Sequence, residues 1–336
     1  MSDQRVIVVI GATSNQGDGV VSALIGDPKA QWIVRGVTRD TSSPWAKEFM
    51  SKYEAAKDRV SLISGDVYSA ESMRAALSGA YGVFLNTNQT VHGKTLVQPE
   101  ELRQEVEQGR IIVDAAKHCG VKHFVFSSLP DMVKATGGRF TDIYHMDLKY
   151  EIEQYARSQL DCVTAVIPGL FYSNHVWSHY CRLRGDGVVR FCAPIPGPRK
   201  MQWTDPAYDV GVFTNRIFDL GVEKTAGKVY PAISPMISMD EIAAIFTRVT
   251  GRKAVHDPLT SAEWAEFTIP MLGPAFRDDI KHMMDWFSMA PTDKICYGAL
   301  DPEEDTSAEE LGVTASTFED WIKRTGWTGP TEVYEG

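Results

Sequence analysis

The feature that most constrains this chain is an apolar segment near its start that ends in a glycine turn. Arg5–Ile10 (RVIVVI) is a continuous run rich in β-branched residues, too short for a core helix, and Gly11 bounds it. Such a run is typical of a strand buried on both faces of a parallel sheet. Residues 17–24 then have the apolar spacing of a helix. The chain therefore begins with a buried strand, a tight turn and a helix.

The same alternation of apolar strands and amphipathic helices continues through the first half of the chain. Further strands are predicted at residues 32–38, 59–63, 81–86, 123–127 and 162–167, with helical patterns between them. Strands that alternate with helices in this way call for a parallel sheet covered on both faces. We therefore predict an α/β fold, a Rossmann-type doubly wound parallel sheet with a smaller α+β substrate domain.

Composition excludes several classes of function. The net charge of −10 argues against a general nucleic-acid binder, which needs clustered cations. The five cysteines are scattered, so neither a disulfide framework nor a metal site is predicted, and a reducing compartment is favoured. The sequence shows no signal peptide and no apolar run of membrane-spanning length. We expect a cytoplasmic protein without membrane contact.

The glycine turn has the form of a dinucleotide-binding fingerprint, because it follows a strand and opens a helix. Glycines let the chain turn tightly and let its backbone approach a pyrophosphate at the helix N-terminus. Ser14 stands where the middle glycine is expected, and its hydroxyl could donate to phosphate. The alternative is a purely structural turn. The predicted cofactor-binding residues here are Gly11, Thr13, Ser14, Asn15, Gln16 and Gly17.

Three further strand ends carry candidate cofactor contacts. Arg39 follows the second strand, where an arginine accepts the 2′-phosphate of NADP and a carboxylate binds the ribose of NAD. We therefore predict NADP(H) in preference to NAD(H). The alternative is that Arg39 only pairs with Asp40 on the surface. Position alone adds the residues after the third and fourth strands, namely Asp66, Val67, Asn86 and Thr87.

Several longer motifs together resemble the NmrA-like family of atypical short-chain dehydrogenase/reductases, which includes isoflavone-reductase-like enzymes. They are GATSNQG (11–17), VRGVTR (34–39), GDVYSAESMRAAL (65–77), YGVFLNTN (81–88), AAKHCGVKHFVFSS (115–128), HMDLKYEIEQY (145–155) and TFEDWIKRTGW (317–327). The resemblance covers most of the chain. It implies an NAD(P)-binding Rossmann domain, predicted at residues 1–165, and a mainly substrate-binding domain at 166–336. We expect the boundary to be interleaved, with parts of 200–235 returning to the first domain.

A helix near residue 145 is the predicted catalytic element. Ordinary short-chain reductases use Tyr-x-x-x-Lys, whose side chains project from one helix face. Lys149 matches the lysine, but His145 stands at the tyrosine position. By resemblance, Lys149 binds the nicotinamide ribose. His145 is suited to act as a general acid, or else only orders the helix. Ser127 is a candidate for polarising the substrate, and Tyr144 is an alternative proton donor.

The segment after the sixth strand is expected to pass the nicotinamide. By resemblance, Pro168 and Phe171 contact the cofactor. The predicted substrate-pocket residues are Ser128, Tyr172, Asn174 and Trp286. For Phe171 and Tyr172 the alternative is a simple core role. Trp286 belongs to a group of methionines and aromatic residues at 283–289. That group is interpreted either as core or dimer packing, or as a flexible wall around a substrate.

Two functions follow from these expectations. The first is an NAD(P)H-dependent reductase of a small, fairly hydrophobic carbonyl, imine or enone compound. The second, which the family also implies, is a non-catalytic NAD(P)-binding redox sensor that binds a protein partner. The regulator interpretation admits a nuclear location as well as a cytoplasmic one. The expected partners are a small-molecule substrate and a second copy of the chain in a homodimer. No direct contact with nucleic acid is expected.

Overall fold

The computed structural model describes residues 5–27 and 32–335, and its centre is a seven-stranded parallel sheet. The strands of the chain are β1 (Arg5–Ile10), β2 (Trp32–Thr38), β3 (Val60–Ser64), β4 (Gly82–Leu85), β5 (His123–Ser127), β6 (Val163–Pro168), β7 (Leu170–Phe171), β8 (Cys181–Leu183), β9 (Val189–Phe191), β10 (Lys200–Met201), β11 (Trp203–Thr204), β12 (Val229–Ala232), β13 (Ile237–Ser238) and β14 (Ala254–His256). The central sheet has the order β12-β6-β5-β4-β1-β2-β3. The predicted Rossmann-type α/β fold is confirmed.

Helices follow most strands of the sheet, and serine or threonine side chains cap many of their N-termini. The α-helices are α1 (Asn15–Gly26), α2 (Pro44–Lys52), α3 (Ala70–Leu77), α4 (Gln104–His118), α5 (Met132–Ala135), α6 (Tyr144–Gln159), α7 (Asp209–Leu220), α8 (Val222–Thr225), α9 (Met239–Thr250), α10 (Ser261–Glu266), α11 (Ile269–Leu272), α12 (Arg277–Met289), α13 (Ser307–Leu311) and α14 (Phe318–Thr325). In the described part of the chain, no helix is both long and apolar enough to cross a membrane.

Two apolar cores lie on the two faces of the sheet. One contains side chains of α1, α2 and α7, and the other contains those of α3, α4 and α6 together with most of the carboxy-terminal half. The strand order reverses direction between β1 and β4. In open α/β sheets, ligands bind beyond the carboxyl ends of the strands at such a switch point. The fold therefore places the glycine turn and the end of β4 at the expected crevice.

The chain leaves the sheet after β6 and returns to it about sixty residues later. Helix α7 packs against α1, where Gly19 and Gly211 permit a close approach of the two backbones. A Cβ on Gly211 would lie 2.2 Å from the carbonyl oxygen of Gly19. Strand β12 then pairs in parallel with β6 at the edge of the sheet. The division into domains at residue 165 stays a prediction.

Candidate active site

The glycine turn is tightly closed and leaves two helix N–H groups for a ligand. Gly11 has φ of 84°, and a Cβ on Gly17 would lie 2.1 Å from the oxygen of Gly11. The Ser14 hydroxyl donates to the oxygen of Gly11 (2.7 Å) and accepts from the N–H of Gly17 (3.2 Å), so it caps α1. The backbone N–H groups of Asn15 and Gln16 bond to no other described residue. The hydroxyl of Ser14, which was predicted to donate to phosphate, therefore donates within the turn instead.

The other predicted cofactor residues of the first three strands lie at the same edge of the sheet. Thr13 is exposed on the turn. Arg39 is exposed and forms no ion pair within the described ranges, because Asp40 instead accepts from the N–H and hydroxyl of Ser42 (2.8 and 2.6 Å). Asp66 is exposed, and the neighbouring Val67 packs against the core. The surface pair of Arg39 with Asp40 does not form.

A cavity of about 330 Å³ lies beyond the carboxyl ends of β4, β5 and β6. It collects most of the predicted residues of the catalytic and pocket groups. Those that line it are Gln16, Asn86, Thr87, Ser127, Ser128, His145, Lys149, Pro168, Phe171 and Asn174. The carboxy-terminal half supplies most of the remaining wall, including Trp177, His179, Tyr180, Trp264, Met271, Met283 and Tyr297. Residues far apart in the sequence therefore meet in one site.

Three of the predicted catalytic and substrate-pocket residues lie outside this cavity lining. Tyr144 begins α6 and is partly buried against the core, away from the cavity lining. Tyr172 is fully buried at the start of a short 3₁₀ turn (Tyr172–Val176) and stacks on Trp203 (5.7 Å between ring centroids). Trp286 is buried and donates its indole N–H to the oxygen of Tyr297 (2.8 Å). None of the three lines the cavity, and Tyr172 and Trp286 take the core positions that were the alternative for them.

Lys149 forms a buried ion pair that the sequence did not predict. Its ammonium donates to a carboxylate oxygen of Glu105 (2.6 Å) and to the hydroxyl and carbonyl oxygens of Thr87 (2.8 and 3.2 Å). The Thr87 hydroxyl in turn donates to Glu105 (2.5 Å). The exposed fraction of the side chain is 9% for Lys149 and 1% for Glu105. All three ammonium protons therefore have protein acceptors at the end of β4.

His145 is held by a carboxylate from the carboxy-terminal half. Its Nδ1 lies 2.7 Å from an oxygen of Asp279 on α12, whose other oxygen accepts the backbone N–H of His145 (3.3 Å). Asp279 is fully buried. A second pair of the same type joins His282 of α12 to Asp142 (2.8 Å) just before α6. The two pairs fix α12 against the start of α6, and they leave Nε2 of His145 for the cavity.

The two serines after β5 have different partners. The hydroxyl of Ser127 donates to the side-chain oxygen of Gln16 (2.6 Å), which joins the fifth strand to the glycine turn. The hydroxyl of Ser128 forms only a longer bond to the oxygen of Leu129 (3.3 Å). Both residues are buried at the cavity wall. Ser127 therefore orients Gln16 toward the site.

Backbone strain occurs beside the cavity at Cys296 and Tyr297. Their φ angles are 49° and 63°, a region that residues other than glycine rarely adopt. The hydroxyl of Tyr297 donates to the oxygen of Pro168 (2.8 Å), and its ring packs on Phe287 (5.6 Å between ring centroids). Strain of this kind persists only where surrounding contacts impose it, and it clusters at ligand sites. Tyr297 is a wall residue that our sequence reasoning missed.

Glu105 and Asp279 were also missed, although each left a signal in the sequence. Glu105 shares the buried stripe of α4 with Gly109 and Ile112, three to four residues apart. Asp279 likewise precedes Met283 by one helical turn on the buried side of α12. Acids in an apolar stripe are rarely buried unless they have partners. In both helices, an acid at a core-facing position was therefore the sequence signal that indicated a buried, paired carboxylate.

Comparison with known proteins agrees with this architecture. The model of the NmrA-like family matches residues 3–322. A relative from Cladobotryum sp., the NmrA-like family domain-containing oxidoreductase FrzB, is 31% identical over 325 residues, covering 93% of this chain and 91% of the relative. A second relative, the NmrA-like family domain-containing oxidoreductase lnaB of Aspergillus flavus, is 29% identical over 323 residues, covering 93% and 91%.

Among solved structures, the fold is similar to that of NmrA, a negative transcriptional regulator solved in complex with NADP. The TM-score is 0.75 at 21% identity, and the match covers 96% of this chain and 95% of NmrA. The same regulator solved with NAD matches with a TM-score of 0.71. The matching family model spans nearly the whole sequence, and so does the similarity to FrzB. This chain therefore belongs to the NmrA-like family.

Proposed function

We propose that this protein is an NADP(H)-dependent reductase of a small, hydrophobic carbonyl, imine or enone compound. The observation that carries the proposal is that His145, fixed by Asp279, and Lys149, paired with Glu105, line one cavity beside the glycine turn. A site that only bound a nucleotide would not need an oriented, titratable donor at that place. The names of FrzB and lnaB as oxidoreductases support the same activity.

The described residues fit a dinucleotide. The N–H groups of Asn15 and Gln16 at the start of α1 would receive the pyrophosphate, at a turn where a Cβ on Gly17 would clash with the backbone. The exposed guanidinium of Arg39 would receive the 2′-phosphate that distinguishes NADP. Pro168 and Phe171 line the cavity on the side of the sheet and would contact the nicotinamide. When bound there, the reduced nicotinamide supplies a hydride.

His145 is the residue that supplies the proton. With its Nδ1 held by Asp279, the proton available to a substrate is the one on Nε2 of the imidazolium. The carboxylate of Asp279 fixes the orientation of the ring before transfer. After transfer, the neutral ring keeps its Nδ1–H on Asp279 and regains a proton on Nε2 from solvent. His145 thereby performs the role that tyrosine has in ordinary short-chain reductases.

Lys149 has a positioning role in this proposal. Its three bonds to Glu105 and Thr87 hold the chain at the end of β4 against α6. A direct bond from Lys149 to the nicotinamide ribose would require one of these bonds to exchange. The ion pair also keeps a buried cation next to the cavity without leaving a net charge. We therefore assign Lys149 to the support of the site.

The test is NADPH oxidation by the purified chain with a panel of hydrophobic ketones, imines and enones, followed by nicotinamide absorbance. We expect turnover of at least one class, and His145→Gln should lower kcat by about 10²–10⁴-fold. His282→Gln is the matched control, because His282 forms the sister pair with Asp142 outside the cavity lining. This control should retain turnover. Equal turnover in wild type and His145→Gln would refute the proton-donor role.

The same assay separates the reductase from a regulator. A regulator binds NADPH tightly and turns over no member of the panel.

Arg39→Asp tests the cofactor preference, since it replaces the cation expected at the 2′-phosphate with an anion. We expect the ratio of NADP to NAD affinity to fall at least tenfold. An unchanged ratio would remove Arg39 from cofactor selection.

A further inference from the structure

The wall of the cavity supplied by the carboxy-terminal half is largely aromatic and apolar. We call Trp177, His179, Tyr180, Trp264 and Met271 the aromatic wall. Trp177 and Met271 are 41% and 47% exposed. Large apolar side chains that remain open to solvent beside a cavity are typical of a site that receives an apolar ligand. The aromatic wall therefore offers flat surfaces to a bound molecule.

His179 is the polar exception in this wall. It is 3% exposed, and its ring stacks on Trp177 (5.6 Å, 18° between planes) and meets the edge of Trp264 (5.1 Å, 68°). It forms no hydrogen bond with any residue in the described ranges. Burial lowers the pKa of His179 to about 4, so the ring is neutral at pH 7. A neutral imidazole has one N–H donor and one nitrogen acceptor.

A second histidine four residues earlier differs from His179 in what its nitrogens face. His175 is buried too, but its Nδ1 bonds to the oxygen of Tyr172 (2.8 Å), and its Nε2 is unpaired and sealed off from open space. The nitrogens of His179 are not among the sealed atoms, and its ring borders the cavity. Buried polar groups almost always have a partner. The missing partner of His179 is therefore expected inside the cavity.

We propose that the aromatic wall binds a planar aromatic part of the substrate, and that His179 recognises one uncharged hydroxyl, N–H or carbonyl group on it. The proposal rests on the proposed function for the identity of this cavity as the substrate site. The recognised group is separate from the one that His145 protonates. His179 is then a specificity residue for a group that takes no part in the reduction.

The test compares two probes of similar shape, 2-naphthol and 2-methylnaphthalene, which differ in a single hydroxyl. Their dissociation constants are measured by fluorescence on the purified full chain, with and without NADP⁺. We expect wild type to favour 2-naphthol by about tenfold, as one net hydrogen bond predicts. His179→Phe keeps a ring in the wall but has no polar atom, so the preference should fall to about one. Its affinity for 2-methylnaphthalene should persist.

Two companion variants keep the test decisive. His179→Asn retains a donor and an acceptor, and it should retain most of the preference for 2-naphthol. His145→Phe alters the other histidine of the cavity and should leave the preference unchanged. The proposal is overturned if neither probe binds wild type, if His179→Phe keeps the preference, if His179→Asn loses it, or if His145→Phe abolishes it. Because binding is measured without turnover, failure of the reductase proposal appears separately in the NADPH assay.

Discussion

The buried pair of Lys149 and Glu105 gives the sharpest prediction about stability. The change is Glu105→Gln, which preserves the size and the acceptor oxygen of the side chain while it removes the charge. The Thr87 hydroxyl can still donate to that oxygen. The ammonium of Lys149 would keep its two contacts with Thr87 but lose its counter-charge, in a place where its side chain is only 9% exposed.

The expected cost follows from that burial. Removing one partner of a buried ion pair leaves an uncompensated charge, which typically destabilises a protein by about 3–5 kcal/mol. Lys149→Met should lower the free energy of unfolding by a similar amount, because it leaves the carboxylate of Glu105 buried without its counter-charge. The double variant leaves no buried charge. Its cost should be smaller than the sum of the two single costs by about 2 kcal/mol, which is a coupling typical of direct contacts.

The assay is equilibrium unfolding in urea of the wild type, both single variants and the double variant, followed by tryptophan fluorescence and circular dichroism. Coincident transitions by the two probes are required before free energies are compared. Arg103→Gln is the matched surface control, since Arg103 pairs with Glu151 while 55% exposed. Its cost should stay below about 1 kcal/mol. A cost of Glu105→Gln as small as that of Arg103→Gln, or strictly additive single costs, would refute the buried-pair reasoning.

Three further predictions concern the turn and one partly buried acid. Gly17→Ala should weaken NADP⁺ binding at least tenfold by calorimetry, because its Cβ would lie 2.1 Å from a backbone oxygen; an unchanged dissociation constant would contradict this. Ser14→Ala should lower the free energy of unfolding by about 1 kcal/mol through loss of the α1 cap, and no change in urea midpoint would contradict it. Burial raises the pKa of Asp147 from 3.8 to about 6, so its ionisation disfavours the folded state. Wild type should therefore lose stability relative to Asp147→Asn as the pH rises from 4 to 6, and urea midpoints that run parallel over that range would exclude it.

The fold was predictable from the sequence because its signals are local. Buried parallel strands are short apolar runs, and Arg5–Ile10 and His123–Ser127 were predicted with the bounds that the structure has. The glycine turn was also recognisable, since a tight βα turn constrains particular positions. The cap formed by Ser14 shows the limit of such reasoning. A hydroxyl predicted to face a ligand instead bonds within its own turn.

The partners of the catalytic candidates were not predictable in the same way. Asp279 lies 134 residues from His145, and no local pattern connects them. Glu105 lies 44 residues from Lys149 and belongs to a helix whose period marks only its apolar face. The sequence around Tyr172 left a pocket role and a core role open, because the strand before it has only two residues and a short 3₁₀ turn follows. Such choices stay open where long-range packing decides the direction of a side chain.

The return of the chain through α7 and β12 has a consequence for how this scaffold diversifies. The stretch at 169–208 leaves the sheet at β6 and comes back beside it, so its two ends are anchored on neighbouring elements. All five residues of the aromatic wall lie in this stretch or in α10 and α11, outside the central sheet. Substitutions there change the shape offered to a ligand without touching a single ladder hydrogen bond of the central sheet. The central sheet and the aromatic wall are thus separate parts of the chain. Ligand preference can change through substitutions in the wall while the sheet keeps its pairing.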